Sequence, residues 1–198
     1  MNEILIYSTP IWEGELSVYD EKTKENILSV LKKYDLKENK INPNSRKDIY
    51  KEKEFSPLIV QACEYVDGAC DSFGIVDRNI FVNSAWIQYL NSNIVGIEEN
   101  LNYDTFSGII CIKSSENSGK LCIRNISINH LWSGLILCDK KNNLNAKQVK
   151  INLEEGKIII WPSYLPVSFD ANKNDEETIL IYFNCFVIPK SYEEELKK

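Results

Sequence analysis

One stretch near the end of the chain decides the fold: EGKIIIWPSYL, at residues 155–165. A turn glycine, Gly156, precedes an apolar run, and the run leaves through an aromatic-Pro-Ser-aromatic-Leu sequence. A short apolar run between turn signals, rich in β-branched and aromatic residues, is typical of a buried strand. We therefore place a strand at 157–161 and read the rest of the chain outward from it.

The surrounding sequence repeats this pattern. From residue 79 onward, runs rich in β-branched and aromatic residues alternate with clusters of Asn, Ser, Gly, Lys and Asp, which is typical of strands separated by turns. The predicted strands lie at 80–90, 107–113, 120–124, 134–138, 149–152, 157–161 and 178–188.

The first part of the chain favours helices after an opening strand at 4–7. Apolar residues recur at helical spacing over 20–34, and a polar stretch at 37–53 reads as a surface loop. A second helix is predicted to begin at Ser56 as N-cap with Pro57 at its first position, and to end near Gly74. Asp67 and Asp71, one turn apart on this helix, read as a solvated face rather than an acid pair.

These elements predict an α+β, mainly β fold: a two-sheet sandwich or jelly roll with two N-terminal helices packed outside one sheet. A length of 198 residues and a hydrophobic content of 43% are enough for one core, so we expect a single domain over 1–198.

The composition limits the class of partner and the cellular compartment that we expect. The net charge of −6 disfavours nucleic acid and anionic membranes. We see no run near the roughly 20 apolar residues of a membrane span and no secretory signal, so we expect a cytoplasmic protein. The six cysteines are dispersed and none forms a C-x-x-C pair, which favours core thiols in a reducing compartment.

Several segments, in order, resemble a family of 2-oxoglutarate/Fe(II)-dependent oxygenases found in marine bacteria and their phages. They are IYSTPIW at 6–12, SAWI at 84–87, SGII at 107–110, SGKLCI at 118–123, the stretch at 155–165, and DEETILIYFN at 175–184. The resemblance implies the cupin-like double-stranded β-helix, or jelly roll, of that family. It also implies where an iron site and a 2-oxoglutarate site would lie.

The chain departs from the family at those positions. The family has a His-x-His or His-x-Asp pair before the Ser-Gly strand, a later His after the aromatic-Pro-Ser element, and an Arg on the last strand. By the resemblance these positions fall on Asn100 and Asn102, on Val167, and on Thr178. Valine has no lone pair and neutral amides are poor Fe(II) ligands, so the ordinary iron triad cannot be assembled here.

Other residues could replace the missing ones. Asp104 or a neighbouring glutamate and the single histidine, His130, could supply a weak metal site, and Lys120 or Arg124 could bind the co-substrate if either points inward. The simpler interpretation of each is a solvated charge or a hydrogen-bonded side chain.

Three hypotheses follow. The first is a degenerate, non-catalytic relative without a cofactor, which binds a small molecule or a protein partner. The second is an active oxygenase with displaced ligands that uses Fe(II) and 2-oxoglutarate. The third is a structural β-sandwich, such as a virion protein, whose inter-sheet space is filled by Trp86, Phe106, Trp161 and Phe183. Under the first two, we expect a pocket lined by Asn100, Asn102, Tyr103 and Val167.

Overall fold

A computed structural model describes residues 9–32, 48–90, 104–115, 118–124, 148–170 and 176–191. Its two helices are α1 (Glu21–Leu31) and α2 (Ser56–Ser72), with a 3-10 turn at Ile49–Lys51 between them. Its strands are β1 (Trp12–Glu15), β2 (Arg78–Leu90), β3 (Phe106–Lys113), β4 (Leu121–Arg124), β5 (Gln148–Ile151), β6 (Lys157–Pro162), β7 (Val167–Phe169) and β8 (Thr178–Pro189).

The strands form two antiparallel sheets. The large sheet has the order β1-β6-β3-β8-β2, and the small sheet has the order β5-β4-β7. The stretch EGKIIIWPSYL at 155–165 contains β6, which pairs with β1 on one side and β3 on the other. None of the helices in the described ranges has the length and apolar character needed to cross a membrane.

Alternate residues of the large sheet enter two different hydrophobic clusters. Ile110, Ile158 and Ile181 belong to one cluster, together with buried residues of α1 and α2. Their neighbours Ile109 and Ile159 belong to a second cluster, which they share with the small sheet. Side chains alternate between the two faces of a strand, so the two clusters lie on opposite faces of the large sheet. We call the first the helix-side cluster and the second the inner cluster. The face of the large sheet that meets the small sheet is the inner face.

Six predicted strands are confirmed to within two residues at each end: 80–90, 107–113, 120–124, 149–152, 157–161 and 178–188. The predicted strands at 4–7 and 134–138 lie outside the described residues. Two short strands, β1 and β7, were missed because four and three residues are too few to show a periodic pattern.

Helix boundaries needed small corrections. Asp20 caps α1 by accepting a hydrogen bond from the Thr23 backbone N–H at 2.7 Å. The prediction that Ser56 is the N-cap of α2 is wrong: Phe55 holds that position, because Ser56 already has helical geometry and no side chain caps this end. Gly74 follows the helix with φ +69, a left-handed conformation that suits glycine.

The prediction of a surface loop over 37–53 needs a correction at its described end, where Lys51 and Lys53 are exposed but Ile49 is not. The 3-10 turn places Ile49 in the helix-side cluster at 1% exposure, and Asp48 forms a parallel bridge with Ala85 of β2. A single apolar residue in a polar stretch gives no periodic signal, although burying it still removes apolar area from water.

An arginine ties α2 to β2. The Arg78 guanidinium lies 2.7 Å from the carboxylates of Asp67 and Asp71. Both carboxylates are more than half exposed, in keeping with the predicted solvated face. They are nevertheless paired, because each forms a salt bridge with Arg78.

The described cysteines are free thiols. Cys70, Cys111, Cys122 and Cys185 are buried, and burial raises the pKa of Cys111 to about 12, so this thiol stays protonated at neutral pH. The described part of the chain thus agrees with core thiols, while Cys138 lies outside it.

Gly108 leaves room for the ring of Phe183 against the large sheet. A Cβ at this position of β3 would overlap the ring of Phe183 and lie 3.0 Å from the carbonyl oxygen of Ile159. Phe183 is fully buried, so its ring has no free space into which to retreat.

We predict that Gly108→Ala lowers the free energy of unfolding by roughly 1–3 kcal/mol, because the added methyl overpacks this contact. Gly68→Ala is the matched control: its Cβ meets nothing within 4 Å, on an exposed face of α2. That change should stabilise the protein by about 0.5–1 kcal/mol through helix propensity. Urea unfolding of both variants measures the difference, and equal effects would contradict the assigned role of Gly108.

Candidate functional site

The position of the expected iron-ligating histidine lies between the two sheets. Val167 begins β7, pairs with Ile123 of β4, and is 2% exposed. It belongs to the cluster that joins the inner face of the large sheet to the small sheet. Val167 therefore packs into the interior of the sandwich.

The position of the expected arginine is also buried. Thr178 begins β8, opposite Leu90 of β2, and is 0% exposed. Two and four residues further along the strand, Leu180 and Tyr182 enter the inner cluster. Since strand side chains alternate, Thr178 shares the inner face with them.

Three aromatic rings occupy the middle of the inner face. Trp86 and Tyr182 are register partners whose rings stack with centroids 4.4 Å apart and planes at 15°. Trp161 meets Tyr182 edge-on, with centroids 5.6 Å apart. All three are at most 2% exposed, and we call them the ring stack.

A row of polar side chains crosses the same face next to the ring stack. Ser107 donates to the Asn184 side-chain oxygen at 2.7 Å, and its oxygen lies 2.9 Å from that of Ser163. The Asn184 amide nitrogen donates to Ser84 at 3.0 Å. A hydroxyl carries one hydrogen, so the Ser163 hydroxyl donates to Ser107 and the chain of bonds has one direction. We call these four residues the polar row.

The polar row is buried except at Ser84, which is partly buried, and its members satisfy one another's hydrogen bonds. Ser107, Ser163 and Asn184 are each at most 2% exposed. Buried polar groups are stable when they are hydrogen-bonded, and here each one has a partner from a neighbouring strand or turn. The row therefore connects β2, β8, β3 and the turn after β6 without any charged group.

The possible substitutes lie in different places. Asp104 accepts a hydrogen bond from the Asn83 side chain at 3.1 Å, and partial burial raises the pKa of its carboxyl group. The side chains of Lys120, directly before β4, and of Arg124, its last residue, are exposed. Asn100, Asn102, Tyr103 and His130 lie outside the described residues. Within the described ranges, no three His, Cys, Asp or Glu side chains form a group that could hold a metal ion.

The expectation that four large side chains meet between the sheets is half correct. Trp86 and Trp161 belong to the inner cluster, but Phe106 and Phe183 belong to the helix-side cluster. The reason is strand parity: Phe183 follows the inward Tyr182 by one residue, and Phe106 precedes the inward Ser107 by one.

Sequence reasoning missed Tyr182 and the polar row. A signal was present in β8, where Thr178, Leu180, Tyr182 and Asn184 alternate with Ile179, Ile181 and Phe183. The alternation is hidden because both series are largely apolar, as expected for a strand covered on both faces.

No family model and no curated protein matches this chain. Solved structures do match. HygX from Streptomyces hygroscopicus, with nickel and 2-oxoglutarate bound, is 11% identical with a TM-score of 0.61, over 92% of this chain and 83% of that one. The non-heme alpha ketoglutarate dependent carbocyclase SnoK from nogalamycin biosynthesis is 12% identical with a TM-score of 0.63, over 89% and 79%.

A viral protein gives a similar result. The collagen prolyl hydroxylase vCPH of Paramecium Bursaria Chlorella virus-1 is 8% identical with a TM-score of 0.57, over 93% of this chain and 97% of that one. At these identities the likeness concerns the fold. The chain therefore has the jelly-roll fold of the 2-oxoglutarate/Fe(II) oxygenases.

This fold implies iron and 2-oxoglutarate, and the two described residues at the positions where the resemblance expects their ligands do not fit them. Val167 offers no donor atom, and Thr178 offers no cation for a carboxylate. Both side chains are buried in the interior.

We predict that Ser107→Ala lowers the free energy of unfolding by about 1–3 kcal/mol, because it leaves Ser163 and Asn184 buried without their shared partner. Ser29→Ala on the exposed face of α1 is the control, and it should change stability by less than about 0.5 kcal/mol. Urea unfolding compares the two. If the losses are equal, the polar row is not a structural network.

Proposed function

We propose that this chain is a degenerate relative of the 2-oxoglutarate/Fe(II) oxygenases that has lost catalysis and acts as a binding protein. One observation carries the proposal: Val167 stands, 2% exposed, between the sheets where the resemblance expects an iron-ligating imidazole. The isopropyl side chain of valine has no lone pair and cannot bind a metal ion.

The loss extends beyond one ligand. Removal of even an outer-shell partner weakens metal affinity by about 10- to 100-fold, so the loss of two or three direct ligands should abolish specific iron binding. Without a guanidinium at Thr178, the charge-assisted bond to 2-oxoglutarate is missing, which weakens co-substrate binding by roughly 10- to 100-fold. The neutral amides expected at Asn100 and Asn102 do not compensate for either loss.

The proposed partner is a small molecule or a protein, in the cytoplasm. The charge of −6 opposes nucleic acid and anionic lipid, and the buried thiols suit a reducing compartment. No cofactor is part of this proposal.

A purely structural β-sandwich is the second candidate, and the ring stack favours it. Trp86, Tyr182 and Trp161 fill the middle of the inner face, as a structural module would require. The displaced-ligand oxygenase would instead need Asp104, His130 and an inward cation, whereas the side chains of Lys120 and Arg124 are exposed.

We predict that protein purified anaerobically with excess Fe(II), without chelator, retains far less than stoichiometric iron. Under air with 2-oxoglutarate it should release no succinate above the protein-free rate. Elemental analysis and succinate quantification measure both. The reason is the absent donor at Val167, together with the neutral amides expected at Asn100 and Asn102.

His130→Ala serves as the control for displaced ligands. Stoichiometric iron and succinate release by the unchanged protein, both lost in His130→Ala, would establish the displaced-ligand oxygenase and refute the proposal.

A further inference from the structure

The inward residues of β8 form a continuous path along the sandwich interior. Thr178 begins the strand, and Leu180, Tyr182 and Asn184 follow at alternate positions. Asn184 lies opposite Ser107 at the beginning of β3, where the polar row crosses the sheet. By the resemblance, 2-oxoglutarate would extend from position 178 toward the metal position at Val167, and Val167 shares one buried cluster with Leu180 and Tyr182 of this path.

The path is occupied by side chains. Leu180 is 0% exposed and Tyr182 is 2% exposed. The Tyr182 ring is fixed on two sides, stacked on Trp86 and met edge-on by Trp161. Leu121, Ile123, Val167 and Phe169 of the small sheet complete the same cluster from the opposite side.

We infer that Tyr182, locked between Trp86 and Trp161, closes the inter-sheet space to a dicarboxylate of the size of 2-oxoglutarate. This inference rests on the proposed function and deepens it, because exclusion by volume acts independently of the missing metal and carboxylate ligands. Protein interiors are packed as densely as organic crystals, so a ligand enters such a layer only by displacing a ring. Its two carboxylates would also lose their hydration there.

A consequence is that restoring the expected ligands does not restore the site. Asn100→His, Asn102→Asp, Val167→His and Thr178→Arg together would supply the expected donor atoms, while the ring stack still fills the path. Iron and 2-oxoglutarate binding should stay absent in this quadruple variant.

Thermal unfolding of Tyr182→Ala tests the closure directly. Truncation of a fully packed aromatic residue should lower Tm by roughly 6–20 °C, from the usual cost of such cavities and the usual Tm response of a chain of this size. Tyr164→Ala is the matched control: Tyr164 is 49% exposed, and its removal should shift Tm by less than about 3 °C. A loss at Tyr182 no larger than at Tyr164 would overturn the closure.

Binding of a small phenol, followed by Tm, gives a second test. It distinguishes a cavity made by removing Tyr182 from a pocket already open in the unchanged protein. p-Cresol, the side chain of tyrosine, should raise the Tm of Tyr182→Ala and leave the unchanged protein unaffected, because apolar cavities bind ligands of matching shape. If Tyr182→Ala does not fold, Tyr182→Leu replaces it, with a smaller expected loss of Tm and the same control. Equal stabilisation of the unchanged protein by p-cresol would show an open pocket and overturn the inference.

The failure of the two proposals can be distinguished. Iron uptake with succinate release by the unchanged protein overturns both, because 2-oxoglutarate would have to enter the space between the sheets. A thermally silent Tyr182 overturns the closure and leaves an absence of iron unaffected.

Discussion

The apolar layer between the two sheets is the constraint on which the rest of the structure depends. The small sheet has strands of only three and four residues, so its own hydrogen bonds contribute little, and its attachment comes from burial against the inner face of the large sheet. That layer includes Val167, Tyr182, Trp86 and Trp161. In a protein with this fold, side chains that hold the sheets together and side chains that would leave room for a ligand compete for the same volume.

The polar row helps to fix the register of the large sheet without charged groups. Four neutral side chains bridge three strands and a turn, with a direction of donation set by single hydroxyl hydrogens. A one-residue slip of β8 against β3 would separate Asn184 from Ser107 and turn Tyr182 toward the helices. The row and the ring stack therefore reinforce the same register, and Gly108 gives Phe183 room on the opposite face.

The fold was largely predictable because long strands carry strong local signals. β2, β3, β6 and β8 are rich in β-branched and aromatic residues between turn signals, and the sequence places them within two residues. β1 and β7 were missed because they are too short to show a periodic pattern. The burial of Ile49 was missed because this residue stands alone in a polar stretch. The candidate site was harder. The resemblance locates Val167 and Thr178, but only register shows that Tyr182 faces inward and Phe183 outward.

The central claim is that the interior behind Val167 is a packed layer without a metal site. A crystal structure of the protein grown anaerobically with Mn(II) and 2-oxoglutarate, with anomalous data for manganese, tests it most directly. The account predicts no anomalous peak within coordinating distance of the side chains that face Val167, and ring positions for Trp86 and Tyr182 as described above. A manganese ion between the sheets with 2-oxoglutarate bound to it would contradict the account.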